Sequence, residues 1–498
     1  MIKGYDKGAN ISLLNVMYHK PKRNPDTGKY STGSLDIIFK DLNTNEKHVQ
    51  HIKDPEYIYY IAKDNYLPSY NMLYIEKEKV NPVVCKYREL KLDIAKRTGN
   101  EEWFYDNIRN GNSRENEKLF TIPKIFNADM HIEDWYRFRF DRLYQNTPFE
   151  PDKLYFDIEV DGIHQAGDFP EMGECPVNAC TLVSDKTNIV YTLLLENPEN
   201  KLIEEFRKIP DLPLKIKEFV KENVGGWKNE KRFHLDNFQY KLIFYDEEIK
   251  LIYDIFNIIN TLKPDFALAW NEAFDLPYLI ERIKVLGYSP EEIICHKDFK
   301  EKEAYYFVDT RVSTFEERGD YAQISSYTVY LDQLITFASR RKGQRKLGSY
   351  KLDSIGNAIA KVRKLDYSHI TTDIAKLPYI DYYTFVFYNI MDTIVQKCIE
   401  EKTGDVDFIY NKCMMNNTRY AKAHRQTVYL VNRGVKEFDK MGLVMGCNAN
   451  KSNEKVGFAG AYVADPKLLS DKPKMKINGI PVMLTNNLDD FDYNLIVA

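Results

Sequence analysis

The spacing of hydrophobic positions changes several times along the chain, and each change predicts a different element. Lys153–Val160 is a short apolar run between Pro151 and Gly162, which predicts a buried strand carrying Asp157 and Glu159. Residues 179–183 and 189–195 read as two further strands, a meander ending at Asn197-Pro198. From Asp246 the period becomes helical, with Ile249, Ile252, Tyr253, Phe256 and Ile259 on one stripe. Lys263-Pro264-Asp265 ends that helix, and residues 266–270 return to a buried strand. Asp275 then opens a helix with Pro277 in its first turn, where a missing N–H costs nothing. Tyr382, Phe385, Val386, Ile390, Ile394 and Cys398 predict a long helix over residues 379–401, with Gly404 as its stop signal. Helix continues over 405–440, and short strand-like segments follow. Strand, helix, strand, helix in this order predicts a layered α/β domain. Residues 1–150 differ: they are strand-rich, with a short aromatic and β-branched segment at 52–61 and a polar loop at 109–116.

Composition narrows the class. The 498 residues are 44% hydrophobic and 29% charged, which excludes a disordered or collagen-like chain. No apolar run approaches the roughly 18 residues of a membrane helix, so no membrane partner is expected. The start, Met1-Ile2-Lys3-Gly4-Tyr5-Asp6, has no apolar core of a secretion signal. Seven scattered cysteines, with no CxxC pair, suit a reducing cytoplasm (the host's, for a viral protein) and argue against structural zinc. A net charge of -4 leaves no global basic field, so any grip on nucleic acid must be local. The 36 Tyr and 27 Phe offer rings for stacking on bases, or reflect nothing more than codon bias. At roughly 150 residues per domain, the length suggests about three domains.

Three carboxylate patches carry candidate chemistry. Asp157 and Glu159, at i and i+2 on a strand, share one face and repel unless a cation lies between them. Their oxygens suit Mg²⁺ or Mn²⁺; a solvated strand face is the ordinary alternative. Asp275 lies where a buried strand runs into a helix, a place for ligands in α/β sheets or simply for an N-cap. Tyr388 and Asp392, at i and i+4, share a helix face, where a phenol beside a carboxylate can orient a metal-bound water; an amphipathic rim explains them equally. A basic cluster, Arg340-Arg341-Lys342-Gly343-Gln344-Arg345-Lys346, reads as phosphate-binding or as a solvated loop.

Taken together, these patches resemble the family B DNA polymerases, most closely the large-phage type. Asp157-Ile158-Glu159 looks like the first 3′→5′ exonuclease motif of that family, and the segment from Asn271 through Phe274-Asp275 to Pro277-Tyr278-Leu279 looks like the second. Tyr388-Asn389-Ile390-Met391-Asp392 looks like the third, and 350–356 like the helix before it. Gly457-Phe458-Ala459-Gly460-Ala461-Tyr462 resembles the Gly-rich turn that precedes the palm and touches template in relatives. The resemblance implies an α/β and α+β multidomain chain: an RNase H-like exonuclease domain (a mixed sheet flanked by helices), a strand-rich N-terminal domain and a partial palm. The implied boundaries are 1–152 for the N-terminal domain, 153–404 for the exonuclease, 405–447 for a helical return and 448–498 for the start of the palm.

It also implies roles. Two divalent ions, Mg²⁺ or Mn²⁺, would be held by Asp157, Glu159, Asp275 and Asp392, with Tyr388 orienting the attacking water. Asn271 and Phe274 would contact the primer 3′ end. Gly460, Ala461 and Tyr462, with Arg340, Arg341 and Arg345, would contact DNA. The first palm aspartate falls best on Asp492, or on Asp490, but the Ser-Leu-Tyr-Pro-Ser context does not follow, and neither the fingers motif nor Tyr-Gly-Asp-Thr-Asp occurs in the sequence. Polymerisation is therefore expected only with a separate C-terminal chain or after joining of an interrupted gene, with replisome proteins as further partners. A standalone exonuclease with the same four carboxylates, or a non-catalytic DNA-binding assembly subunit, are the rival readings.

Overall fold

β-branched and aromatic side chains crowd the first sixty residues, and they pair as three long strands: β1 (Ile11–His19), β2 (Ser34–Asp41) and β3 (Lys47–Lys53), antiparallel in the order β1-β2-β3. The structure is a computed structural model describing residues 2–447, except 24–27, 29, 67, 69–71, 166–169, 225–236 and 343–347, together with strands at 475–477 and 480–482. The aromatic, β-branched segment at 52–61 is divided between two strands, because Asp54 turns left-handed (φ 51) before Pro55, which has no N–H to donate. β4 (Glu56–Ala62) starts afresh beyond it; β5 (Tyr74–Glu76), β6 (Val80–Lys86) and β7 (Ile125–Phe126) follow, with β6-β4-β7 forming a second sheet. α1 (Leu90–Thr98), α2 (Glu101–Arg109) and α3 (Ile132–Leu143) complete this region. The loop expected at 109–116 gives way at Ser113 to a 3₁₀ helix running to Thr121, drawn in by burial of Leu119 and Phe120.

The second region is the expected mixed sheet flanked by helices. β8 (Lys153–Val160), β9 (Val177–Ser184) and β10 (Ile189–Leu195) form the antiparallel meander. After α4 (Lys201–Arg207) and α5 (Leu212–Asn223), β11 (Gln239–Tyr245) joins β10 in parallel. α6 (Glu248–Leu262) leads to β12 (Phe266–Ala269), and α7 (Glu272–Val285), α8 (Pro290–Ile294), β13 (Ala304–Phe307), β14 (Tyr321–Ile324) and β15 (Val329–Asp332) follow. The strand order is β11-β10-β9-β8-β12-β15, which places β8 inside the sheet. Its side chains alternate between two cores. Leu154, Phe156 and Ile158 pack with α6 and α7, while Tyr155 packs in the core on the opposite face.

That opposite face is covered by a long helix. α9 (Gln333–Arg340), α10 (Leu352–Ile355) and α11 (Leu377–Ile380) lead to α12 (Tyr382–Thr403), which buries Phe385, Val386, Ile390 and Ile394. α12 starts three residues later than its periodicity suggests, because Asp381 caps it by accepting from Thr384 N at 3.0 Å. Gly404 ends it with φ 57, as expected.

α13 (Asp405–Met415) and α14 (Gln426–Lys440) return to the first region, where β16 (Leu443–Met445) pairs with β5. On the way, Arg419 pairs with Asp134, and Tyr420 Oη donates to Leu14 O at 3.0 Å. Residues 1–449 form one compact unit. Of the second unit, 450–498, only the hairpin β17 (Met475–Ile477) and β18 (Ile480–Val482) is described, so Gly460, Ala461, Tyr462, Asp490 and Asp492 lie outside the described residues. All seven cysteines are free thiols. No helix among the described residues is long and apolar enough to cross a membrane.

Two buried ionic clasps join the first region to the second. Lys47 Nζ lies 2.7 Å from Asp265 Oδ1 and donates to Lys263 O at 2.6 Å, fixing β3 to the turn before β12. His19, 2% exposed, lies 2.9 Å from Asp36 Oδ2 and 3.0 Å from Glu303 Oε2. Burial opposes its protonation, but these two carboxylates raise its pKa to about 9. A raised histidine pKa contributes stability that is complete below the ordinary value near 6.5 and is lost as pH climbs through about 9. The melting-temperature gap between the wild-type protein and a His19→Gln variant should therefore be widest near pH 6 and close by about pH 9.5. A constant gap across that range in thermal denaturation would contradict the clasp.

Candidate active site

β8 supplies the first two carboxylates. Asp157 and Glu159 follow Tyr155 on the face beneath α12, opposite Thr181 and Ala179 of β9, and the register slips between Glu159 and Val160. α12 supplies the third. Ligand oxygens of Asp157, Glu159 and Asp392 all lie within 4.8 Å of one another, with Asp392 buried and the other two partly so.

The fourth comes round the edge of the strand. β12 pairs with β8 only as far as Tyr155, so the β8 edge beyond it is open. There the Ile158 backbone hydrogen-bonds the Asp275 carboxylate, just outside the three-carboxylate set. Asp275 is not the start of its helix, as the sequence suggested. α7 begins at Glu272, with Asn271 as a left-handed N-cap (φ 71), and Pro277 falls inside the helix. The reason is Asp332, which accepts from Ile335 N at 2.9 Å and from Ala273 N at 3.4 Å, and so holds the first turns of α9 and α7 together.

These groups repel, and water is largely excluded. Burial and the nearby Asp392 charge push Asp157 up to about 8. Burial raises Glu159 far above the usual carboxylate range, with Asp157 and Asp392 adding to it, and burial and Asp157 do the same to Asp275. Asp392 rises only to about 6, because Lys364 opposes its burial. Lys364 Nζ lies 2.5 Å from Asp392 Oδ2 and 4.7 Å from the Tyr388 ring centroid. The Tyr388 side chain also hydrogen-bonds Asp392, and its ring meets the edge of Tyr367 at 5.2 Å.

The cluster fits a divalent cation. Its donors are hard carboxylate oxygens, and Asp392 Oδ1 is buried with no hydrogen-bond partner among the described residues. Asp157, Glu159 and Asp392 would hold such an ion.

Residues 118–355 match the family model described as DNA polymerase family B, exonuclease domain. This portion of the chain is a family B DNA polymerase exonuclease domain. No curated protein matches the chain. The matched span contains Asp157, Glu159 and Asp275 and stops before Tyr388 and Asp392; the packing of α12 on β8 brings Asp392 to Asp157 and Glu159. Exonuclease domains of this kind use divalent metals and act on DNA.

Other residues singled out in the sequence lie around or away from this centre. Phe274 packs against Tyr278 with ring centroids 5.3 Å apart, one turn from Asn271. Arg340 and Arg341 sit at the far end of α9, where both pair with Asp405, at 2.6 and 2.8 Å. Arg345 lies outside the described residues.

Sequence reasoning missed three residues that lie around the carboxylate cluster. Lys364 reaches Asp392 from a segment with no periodic signal. It follows Gly356, where an added Cβ would stand 2.5 Å from Val395 Cγ1, so the chain can lie close on α12. Asp332 has the form of an N-cap, but its second helix is distant in sequence. Glu272 is fully buried, both its oxygens lack partners among the described residues, and burial pushes its carboxyl well above the usual carboxylate range.

The raised Asp157 carboxyl has a measurable sign. Its stabilising contribution is complete below the unfolded value near 3.8 and is lost as pH rises through about 8, where a repelled buried charge remains. In EDTA, Asp157→Asn should therefore melt increasingly above wild type between pH 4 and 8, and saturating Mg²⁺ should close or reverse that gap. Equal melting temperatures at all pH values, with and without metal, would contradict this electrostatic account.

Proposed function

We propose that this chain is the proofreading part of a family B DNA-directed DNA polymerase of the large-phage type, removing nucleotides from primer 3′ ends during replication. The observation that carries the reading is the meeting of Asp157, Glu159 and Asp392, from segments more than two hundred residues apart in sequence, in one partly buried cluster. Structural ion pairs also bury carboxylates, but they do so with matching cations. Here Lys364 is the cation against Asp392, with Asp157, Glu159 and Asp275 crowded nearby.

The proposed chemistry is hydrolysis of a phosphodiester bond. Two divalent ions, when bound, neutralise the scissile phosphate and favour ionisation of the attacking water. Asp157, Glu159 and Asp392 hold cationic charge at the centre, and Asp275 completes the ring from the open edge of β8. Tyr388 places its phenol beside Asp392 and orients the water by hydrogen bonding. Lys364 keeps Asp392 ionised near neutral pH and faces the same water.

Asn271 and Phe274, at the corner between β12 and α7, contact the terminal nucleotides. Unpaired 3′ ends suit such a site because their bases are already unstacked. The fingers and remaining palm motifs of nucleotidyl transfer are not in this sequence, so polymerisation is assigned to a further chain or segment carrying them, with template contacts through Gly460, Ala461 and Tyr462, a palm role for Asp492, and replisome proteins as additional partners.

Asp157→Ala combined with Glu159→Ala should reduce Mg²⁺-dependent trimming of a 5′-labelled, 3′-mismatched primer to the level without enzyme. The wild-type chain should shorten that primer faster than a fully paired one. Trimming by the double variant at the wild-type rate would overturn the assignment.

A further inference from the structure

α12 presents more than Asp392 to β8. Asn389, Asp392 and Gln396 are spaced by three and four residues and so lie on one face of the helix. Asn389 Nδ2 donates to Asp157 Oδ2 at 3.2 Å and to Asp157 O at 3.3 Å. Gln396 Nε2 donates to Asp157 Oδ1 at 3.4 Å and to Phe156 O at 3.3 Å. Each carboxylate oxygen thus receives one amide, and each amide also grips the main chain of the same strand. Rotation of the Asp157 side chain would break one of these paired contacts.

We infer that Asn389 and Gln396 are positioning residues, which hold the Asp157 carboxylate in the orientation that receives a divalent cation while leaving its charge for that cation. The inference rests on the metal-dependent reading proposed above. Both side chains are fully buried (0% exposed), so neither is an incidental surface contact. Asn389 Oδ1 and Gln396 Oε1 have no hydrogen-bond partner among the described residues. Burying an unsatisfied acceptor costs stability, and both amides bear that cost with their donors turned toward β8.

Neutrality of the donors matters as well. Lys364 meets Asp392 with a full positive charge, which competes with a bound cation for that oxygen. An amide orients a carboxylate without neutralising it. No ion pair reaches Asp157 among the described residues, whereas Asp392 has one. The cluster therefore carries one carboxylate balanced by an ammonium and one aligned by amides. Oriented outer partners of this kind are worth roughly 10–100-fold in metal affinity.

The test uses the full chain with Asn389→Ala and Gln396→Met made separately. Mn²⁺ binding is read directly from the free-ion signal in electron paramagnetic resonance, and the Mg²⁺ concentration for half-maximal primer trimming is read in parallel. Each substitution should weaken Mn²⁺ binding about tenfold or more and raise the half-saturating Mg²⁺ comparably, while trimming at saturating Mg²⁺ stays within a few-fold of wild type. A merely structural role would lower the melting temperature and leave Mn²⁺ affinity unmoved, and that result in either folded variant overturns the inference. Should Gln396→Met fail to fold, Asn389→Ala, which only removes atoms, decides alone. If the wild-type chain itself binds no Mn²⁺, the metal reading fails first and this inference falls with it.

Discussion

Electrostatic repulsion within one small volume organises this molecule. Asp157, Glu159, Asp275 and Asp392 face one another where burial strips them of hydration, and each is driven toward its protonated form. Left to itself, a polypeptide would swing such side chains apart. The chain prevents this with rigid supports: an interior strand for two of them, a capped helix beside an open strand edge for the third, and a long buried helix for the fourth. Lys364 offsets part of the repulsion on Asp392, and neutral amides align Asp157. That repulsion is what a divalent cation would relieve on binding, so the cost to stability and the proposed affinity for metal would have one origin.

The supports depend in turn on packing well outside the cluster. α12 is held over β8 because its apolar stripe fills the core shared with Tyr155, Ala179 and Val183. α7 is aimed by Asp332 from the end of β15. The sheet is braced from behind by the Lys47–Asp265 and His19–Asp36–Glu303 clasps to the N-terminal strands. These clasps are buried charge pairs, whose loss on one side leaves an uncompensated charge. They tie the two regions together more specifically than apolar contact would.

Much of this was legible in the residues. The alternation in Lys153–Val160, the change to helical period after Asp246 and the stripe of α12 are strong local signals, and the three carboxylate motifs sit on the elements so defined. What was not legible depended on contacts between segments distant in sequence. The first turn of α7 moved back to Glu272 because Asp332, some sixty residues on, supplies a hydrogen-bond acceptor. The break at Asp54-Pro55 came from backbone geometry that β-propensity does not encode. Lys364 carries no periodic signature, and only folding against α12 brings it to Asp392. The basic run around Arg340 looked like a phosphate grip in one dimension, yet Arg340 and Arg341 both turn to Asp405, the first residue of α13.

The central claim is that Asp157, Glu159 and Asp392 form a cation site, and diffraction tests it most directly. Crystals of the chain grown with millimolar Mn²⁺ and measured at the manganese absorption edge should show an anomalous peak bounded by oxygens of these three carboxylates, lost in Asp157→Ala. A well-ordered cluster with no anomalous density, or manganese bound only elsewhere, would contradict the account.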